Sequence, residues 1–188
     1  MLNQGACEFL FLSQVIDSTL KKLRVQTANL LTLGNLALGG FSILMTLEEQ
    51  YHLALLLIFI AALADRLDGM VARKLNIESE LGKQLDSMCD IISFGVAPAI
   101  LLHQDVLSQF GSPGAFFTVF YIGCGALRLA RFNLSENNGY FQGLPITVAG
   151  CLITLSYLLT SYLPAPFFMV MMMTLSLLMV SPFKLKKM

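Results

Sequence analysis

Four aspartates lie close together in a part of the chain that is otherwise apolar. Asp65 and Asp68 stand near the end of one apolar stretch, and Asp86 and Asp90 stand near the start of the next. On insertion scales, an aspartate at the centre of a membrane helix costs about 2.5–3.5 kcal/mol. Residues with such a cost indicate a function, because a purely structural role can be filled without charge.

Helical spacing brings the four carboxylates towards one another. At about 100° per residue, Asp65 and Asp68 fall on one arc of the helix that contains them. Asp86 and Asp90 are four residues apart and stack along one stripe of the helix that follows. Because only a short turn separates the two helices, we expect them to be antiparallel neighbours whose carboxylate pairs face each other.

A cluster of four carboxylates without a cation would repel itself, and several of the groups would be forced to protonate. Divalent cations remove that repulsion. An all-oxygen ligand set suits Mg²⁺, Mn²⁺ or Ca²⁺ and disfavours Zn²⁺. Four carboxylates can also bridge two ions, an arrangement that holds the attacking and leaving oxygens of a phosphoryl displacement. The alternative is a cation channel or transporter, since carboxylates inside membranes also mark ion paths.

Small residues accompany the acids. Gly69 and Ala72 share the arc of the first aspartate pair, and Gly82 continues the stripe of the second pair. Their small size leaves space for a phosphate-bearing ligand beside the metals, and Arg73 lies one position past the arc. The alternative is that these small residues are packing contacts between helices.

The composition indicates that these helices lie in a membrane. Of the 188 residues, 56% are hydrophobic and 13% are charged, whereas about a quarter of the residues of a soluble domain are charged. The zero net charge gives no support for nucleic-acid binding. A spanning helix needs about 20 mostly apolar residues. Six stretches of this kind can be drawn, at 29–47, 51–72, 84–104, 114–132, 145–163 and 165–182.

We therefore predict an all-α integral membrane protein with six transmembrane helices, which form one domain over residues 29–182. Residues 8–24 mix apolar and polar positions, so we expect the N-terminal segment 1–28 to contain an amphipathic helix in the membrane interface. Residues 183–188 are predicted to form a basic cytoplasmic tail. All twelve Lys and Arg residues fall on one side of this arrangement, which predicts that both termini and the aspartates are cytoplasmic.

The chain resembles the CDP-alcohol phosphotransferase family in the pattern Asp65-x2-Asp68-Gly69-x2-Ala72-Arg73-x8-Gly82-x3-Asp86-x3-Asp90. The resemblance implies that the four aspartates hold two divalent cations, Mg²⁺ or Mn²⁺. It implies that Asp90 is in addition the general base that acts on the acceptor hydroxyl. Family members also bind the nucleotide of the lipid donor through residues of this pattern and of the first span. The candidates here are Asn29, Thr32, Gly69, Ala72, Arg73, Ser79 and Gly82. The first span of the family commonly begins Pro-Asn-x-x-Thr, and this chain lacks the proline before Asn29.

Three segments outside this pattern indicate which alcohol is the acceptor. Residues 93–99, 125–133 and 143–146 resemble the phosphatidylserine synthase branch of the family. That resemblance implies transfer of a phosphatidyl group from CDP-diacylglycerol to L-serine, in a homodimer surrounded by the lipids of a bacterial cell membrane. Glycerol 3-phosphate, inositol phosphate or another amino alcohol stay open as acceptors. A lipid-binding module without catalysis would not need the full set of acids.

A serine acceptor needs a partner for its carboxylate, and arginine binds a carboxylate through two parallel hydrogen bonds. Arg128 and Arg131 are three residues apart at the inner end of the fourth apolar stretch, so both can face one site. The alternative is that they extend to lipid headgroups as anchors. Ser93 is a third candidate for serine binding, with a hydroxyl that packs helices together as its alternative.

Overall fold

The computed structural model describes residues 26, 27, 29–75, 80–134, 140–181 and 184–186. Six helices occupy this part of the chain. They are α1 (Asn29–Leu47), α2 (Tyr51–Leu75), α3 (Glu80–Phe110), α4 (Ser112–Leu134), α5 (Ile146–Tyr157) and α6 (Ala165–Val180). Each helix falls on one of the six predicted apolar stretches. The predicted interfacial helix at 8–24 lies outside the described residues.

Three of these helices are long and apolar enough to cross a membrane by length and composition, namely α1, α3 and α4. Helix α2 has 25 residues, but charged residues crowd its second half. Helices α5 and α6 are strongly apolar, but with 12 and 16 residues they are shorter than the roughly 20 that a full crossing needs. The protein is thus a helical membrane protein, and six complete crossings remain a prediction.

Helix α1 has small and polar residues on its buried face and large apolar residues on its exposed face, as is typical of a membrane helix. Its buried residues are all small or polar: Thr32, Asn35, Gly39, Ser42 and Thr46. Many of its large apolar residues point outward and are about half exposed or more, namely Leu30, Leu31, Leu33, Phe41, Leu44 and Leu47. Small and polar residues let membrane helices approach closely and bond to each other. The Ser42 hydroxyl accordingly donates to the Ala54 carbonyl of α2, at 2.9 Å.

Helix α3 is wound as a π-helix over Ile91–Val96, directly after Asp90. The Ala97 N–H accordingly donates to the carbonyl of Ile92, five residues earlier. Pro98 has no N–H with which to reach the carbonyl of Phe94, four residues earlier. The buried hydroxyl of Tyr121, on α4, donates to that carbonyl at 3.2 Å. A wide turn of this kind is frequent at functional sites.

Two glycines allow neighbouring helices to reach the π-helical segment. A Cβ on Gly39 would collide with Ser93, so α1 can lie against α3 only with glycine there. A Cβ on Gly150 would collide with the Phe94 carbonyl, which has the same consequence for α5. Together with the Tyr121 bond, these contacts fix the segment after Asp90 from three sides.

One pair of short strands adds to the helical architecture. Strand β1 (Tyr140–Gln142) pairs antiparallel with β2 (Lys184–Lys186), and Phe141 lies opposite Leu185. No strand was expected from the sequence, and β2 lies in the segment 183–188 that was predicted to be a basic tail. The pairing brings the connection before α5 beside the end of α6. A backbone bond from Leu144 to the Leu178 carbonyl, at 3.2 Å, joins the same two regions.

The Tyr121 bond makes a prediction about stability. Tyr121→Phe removes one hydrogen bond from a buried carbonyl while it keeps the ring, so we expect unfolding to become easier by about 1 kcal/mol. The measurement is the thermal unfolding midpoint of the detergent-solubilised protein. Tyr162→Phe is the control, because Tyr162 is 83% exposed. Equal midpoints for the two variants would contradict the role given to Tyr121.

Candidate active site

Three of the four aspartates come together between α2 and α3. One carboxylate oxygen each from Asp65, Asp86 and Asp90 lies within 4.8 Å of the other two. Asp65 and Asp90 are partly buried, and Asp86 is exposed. The spacing of four residues within α3 and the antiparallel approach of α2 produce this meeting, as the sequence predicted. Asp68 lies in α2, but its side chain is outside the described part of the structure.

The start of α3 is held beside α4 close to this cluster. Asn133, near the end of α4, donates its amide N–H to the Ser87 hydroxyl at 3.1 Å. Ser87 is adjacent to Asp86, and its hydroxyl also donates to the carbonyl of Lys83 at 3.1 Å. The position of Asp86 is therefore set by contacts to α4 as well as by its own helix.

The Asp90 carboxylate is incompletely satisfied. Its Oδ1 atom is buried and has no hydrogen-bond partner among the described residues. A buried polar atom left unpaired costs about 1–3 kcal/mol, and more when the group is charged. Such atoms in native proteins usually belong to a site that binds an ion, water or ligand. The donor set is all oxygen and its members are close enough to share a cation, so these residues fit a divalent metal.

Arg128 extends from α4 towards the same cluster. It is only 8% exposed, and its charge interacts with that of Asp90. Its guanidinium carbon lies 5.7 Å from the ring centroid of Phe132, one helical turn further along α4. The Nε atom is buried and finds no hydrogen-bond partner within the described ranges. Arg128 thus presents an unused donor close to the candidate base.

Arg131 has a different environment, although the spacing allowed both arginines to face one site. It is exposed, and its Nη1 donates to the Val180 carbonyl at 3.1 Å. Val180 is the last residue of α6, where the final carbonyls lack partners within the helix and cationic side chains are favourable. Arg131 therefore stabilises the end of α6, and Arg128 is the stronger candidate for substrate contact.

Ser93 also lies next to the site, one turn beyond Asp90. Its hydroxyl is fully buried and donates to the Asn35 carbonyl of α1 at 3.2 Å. The close approach of Gly39 covers it further. These are the contacts of a hydroxyl that packs two helices together, and direct binding of serine by Ser93 stays a prediction.

Four of the residues predicted to contact the nucleotide lie in described parts of the helices. Asn29 and Thr32 lie in the first turns of α1, the former partly buried and the latter 8% exposed. Gly69 lies on α2 and Gly82 in the first turn of α3, and both are partly buried. Three of the predicted residues lie outside the described structure: the side chains of Ala72 and Arg73, and the whole of Ser79.

One polar residue near the site was missed by the sequence analysis. Asn35 is fully buried on α1, one turn after Thr32, and both atoms of its side-chain amide lack hydrogen-bond partners in the described structure. The available signal was its spacing, since an amide three residues after Thr32 shares a helix face with it. An asparagine in an apolar stretch carries a cost that needs a reason.

Comparison with known proteins bears on the identity of this site. Residues 25–183 match the family described as CDP-alcohol phosphatidyltransferase. The chain belongs to this family. The match covers all six helices and therefore includes every element that contributes to the acidic cluster.

Individual relatives of the chain within the CDP-alcohol phosphatidyltransferase family carry names that specify a reaction. A CDP-diacylglycerol–serine O-phosphatidyltransferase of Bacillus subtilis is 40% identical over 130 residues, which is 68% of this chain and 73% of the relative. One of the same name from Helicobacter pylori is 39% identical over 134 residues, 70% of this chain and 56% of the relative. An archaetidylserine synthase of Methanothermobacter thermautotrophicus is 40% identical over 159 residues, 81% of this chain and 66% of the relative. The chain thus spans between about half and three quarters of these proteins.

The acidic cluster generates a prediction about metal binding. Asp65→Asn removes one ligand and leaves its shape, so we expect Mn²⁺ affinity to fall at least about tenfold, since even indirect partners of a metal are worth that much. The measurement is the electron paramagnetic resonance signal of free Mn²⁺ during titration of the purified protein. Asp105→Asn is the control, an exposed acid fifteen residues beyond Asp90. Unchanged affinity in Asp65→Asn would show that these carboxylates do not hold the metal.

Proposed function

We propose that this protein transfers the phosphatidyl group of CDP-diacylglycerol to the hydroxyl of L-serine and releases CMP. The observation that carries the proposal is the meeting of three carboxylates within 4.8 Å in a chain of the CDP-alcohol phosphatidyltransferase family. Relatives that are about 40% identical and named for this reaction support serine as the acceptor. The archaetidylserine synthase supports the same acceptor on a different lipid.

Asp90 is the proposed general base. A general base needs a carboxylate oxygen that is shielded from water and free to accept a proton. Asp90 meets both needs, since its Oδ1 is buried and has no hydrogen-bond partner among the described residues. The base removes the proton of the serine hydroxyl, and the resulting oxygen attacks the phosphorus on the lipid side of the diphosphate. The bond from that phosphorus to the oxygen of CMP breaks, and CMP leaves. Placing the hydroxyl in line with this bond is the main contribution of the protein.

Asp65, Asp68, Asp86 and Asp90 are the residues that would hold two divalent cations, Mg²⁺ or Mn²⁺. When bound, such cations supply charge neutralisation for the diphosphate and for the CMP that departs. The residues proposed to bind the nucleotide are Asn29, Thr32, Gly69, Ala72, Arg73, Ser79 and Gly82. Arg128 is the proposed partner of the serine carboxylate because its Nε is buried close to Asp90 and has no partner within the described part.

A single direct displacement fits the arrangement. A covalent intermediate would need a nucleophile beside the acids, and histidine is the usual choice for phosphorus. The chain has two histidines, His52 and His103. Each is thirteen residues along its helix from the nearest aspartate of the acidic cluster, Asp65 for His52 and Asp90 for His103, which corresponds to about 20 Å. His103 moreover has Thr118 as its neighbour, at 3.3 Å.

The proposed orientation places the site at the cytoplasmic face of the membrane. All twelve Lys and Arg residues belong to one side of the six-span arrangement, and none belongs to the other. CDP-diacylglycerol would keep its acyl chains in the inner leaflet, beside the outward-facing apolar residues of the helices. A homodimer in the membrane is part of the proposal on the basis of the family resemblance.

The test is an acceptor panel with purified protein and CDP-diacylglycerol. We expect release of CMP that depends on Mg²⁺ or Mn²⁺ and on L-serine, with the label of radioactive serine recovered in the lipid. Glycerol 3-phosphate, inositol phosphate and ethanolamine are the comparison acceptors. Faster transfer to one of these would overturn serine as the acceptor. Absence of CMP release with every acceptor would overturn the reaction itself and favour a transporter.

A further inference from the structure

Asn35 is an unusual residue for the interior of a membrane protein. Its side chain is fully buried, and neither the Oδ1 nor the Nδ2 atom has a hydrogen-bond partner in the part of the chain that the structure describes. A buried amide that bonds to nothing is unfavourable, so native proteins keep such a group where something else binds to it.

Its neighbours on α1 show that packing between helices does not explain the amide. The Ser42 hydroxyl donates to the Ala54 carbonyl at 2.9 Å, and the Thr46 hydroxyl donates to the Ser42 carbonyl at 2.9 Å. Thr32 also has an interaction partner. The Ser42 bond joins α1 to α2, and the Thr46 bond satisfies that hydroxyl within α1 itself. Within this buried face, Asn35 combines full burial with an amide that makes none.

Asn35 lies close to the candidate base. Its backbone carbonyl accepts the hydroxyl of Ser93 at 3.2 Å. Ser93 is three residues beyond Asp90 on α3, which is less than one helical turn. Arg128 reaches the same stretch of α3 from α4, since its charge interacts with that of Asp90. The short stretch from Asp90 to Ser93 therefore has the backbone of Asn35 on α1 beside one end and the charge of Arg128 on α4 beside the other.

The buried atoms that lack partners match the polar groups of an amino acid. Asp90 Oδ1 is an acceptor, Arg128 Nε is a donor, and the Asn35 amide offers one acceptor and one donor. Serine presents a hydroxyl proton to an acceptor, a carboxylate to donors and an ammonium group to an acceptor. Each unpaired donor or acceptor of the protein thus has a complementary acceptor or donor on serine.

We propose that Asn35 is a specificity-determining residue, whose amide binds the ammonium and carboxylate groups of the acceptor serine beside Arg128. This inference rests on the proposed function, because it takes serine to be the acceptor. A site that forms hydrogen bonds to a substrate through buried groups rejects analogues that lack the matching group. Asn35 would in this way favour a zwitterionic acceptor over a simple alcohol.

The test separates binding of serine from binding of the lipid donor. Asn35→Leu keeps the size of the side chain and removes both polar atoms, and Asn35→Asp keeps the shape and removes the donor. We expect each variant to raise the KM for serine at least about tenfold, with the KM for CDP-diacylglycerol within twofold of the wild-type value. Thermal unfolding of both purified variants in detergent verifies that the fold is retained.

Thr46→Val is the matched control, because Thr46 lies on the same buried face three turns from Asn35 and its hydroxyl is already bonded. Its KM for serine should equal that of the wild type. A serine KM within twofold of the wild-type value in folded Asn35→Leu would overturn the inference, as would a parallel rise in both KM values. Those results would leave the proposed function intact, whereas a wild-type protein that does not use serine would overturn both.

Discussion

The repulsion between carboxylates in apolar surroundings is the constraint on which this structure depends. Two unit charges within 4.8 Å of each other repel by at least roughly 3.5 kcal/mol at an effective dielectric constant of about 20. Asp65, Asp86 and Asp90 form three such pairs. Protonation or nearby positive charge must offset this repulsion, and the charge of Arg128 interacts with that of Asp90. Divalent cations would supply further compensation, and the all-oxygen donor set suits them.

The fold around the cluster is built to hold α3 in place. The π-helical segment that follows Asp90 is contacted by α1 through Gly39, by α5 through Gly150 and by α4 through the hydroxyl of Tyr121. These contacts use small or polar residues, since helices in a membrane gain little from burying apolar side chains against each other.

The sequence predicted the elements of the fold well because the signal is strong. Long apolar stretches interrupted by short polar breaks determine where helices begin and end, and α1 covers 29–47 as predicted. The meeting of Asp65 with Asp86 and Asp90 followed from helical spacing and one short turn. Both inferences use local information, which a single sequence contains.

Contacts between distant residues could not be predicted in this way. The strand pair joins 140–142 to 184–186, and nothing in either segment indicates its partner. Arg128 and Arg131 have the same charge and lie on similar faces of α4, yet Arg131 binds the end of α6 because that helix happens to finish beside it. The significance of Asn35 was missed for a related reason: spacing places it on the face of Thr32, but only packing shows that its amide has no hydrogen-bond partner among the described residues.

The most direct test of the central claim is the effect of Asp90→Asn, which removes the basic oxygen and leaves the size of the side chain. If Asp90 is the base beside a metal-bound diphosphate, the purified variant should lose turnover with serine while binding of CDP-diacylglycerol largely survives. The two quantities are release of CMP and retention of labelled lipid donor. Activity close to that of the wild type would contradict the account, because no other described residue combines proximity to the cluster with a free buried carboxylate oxygen.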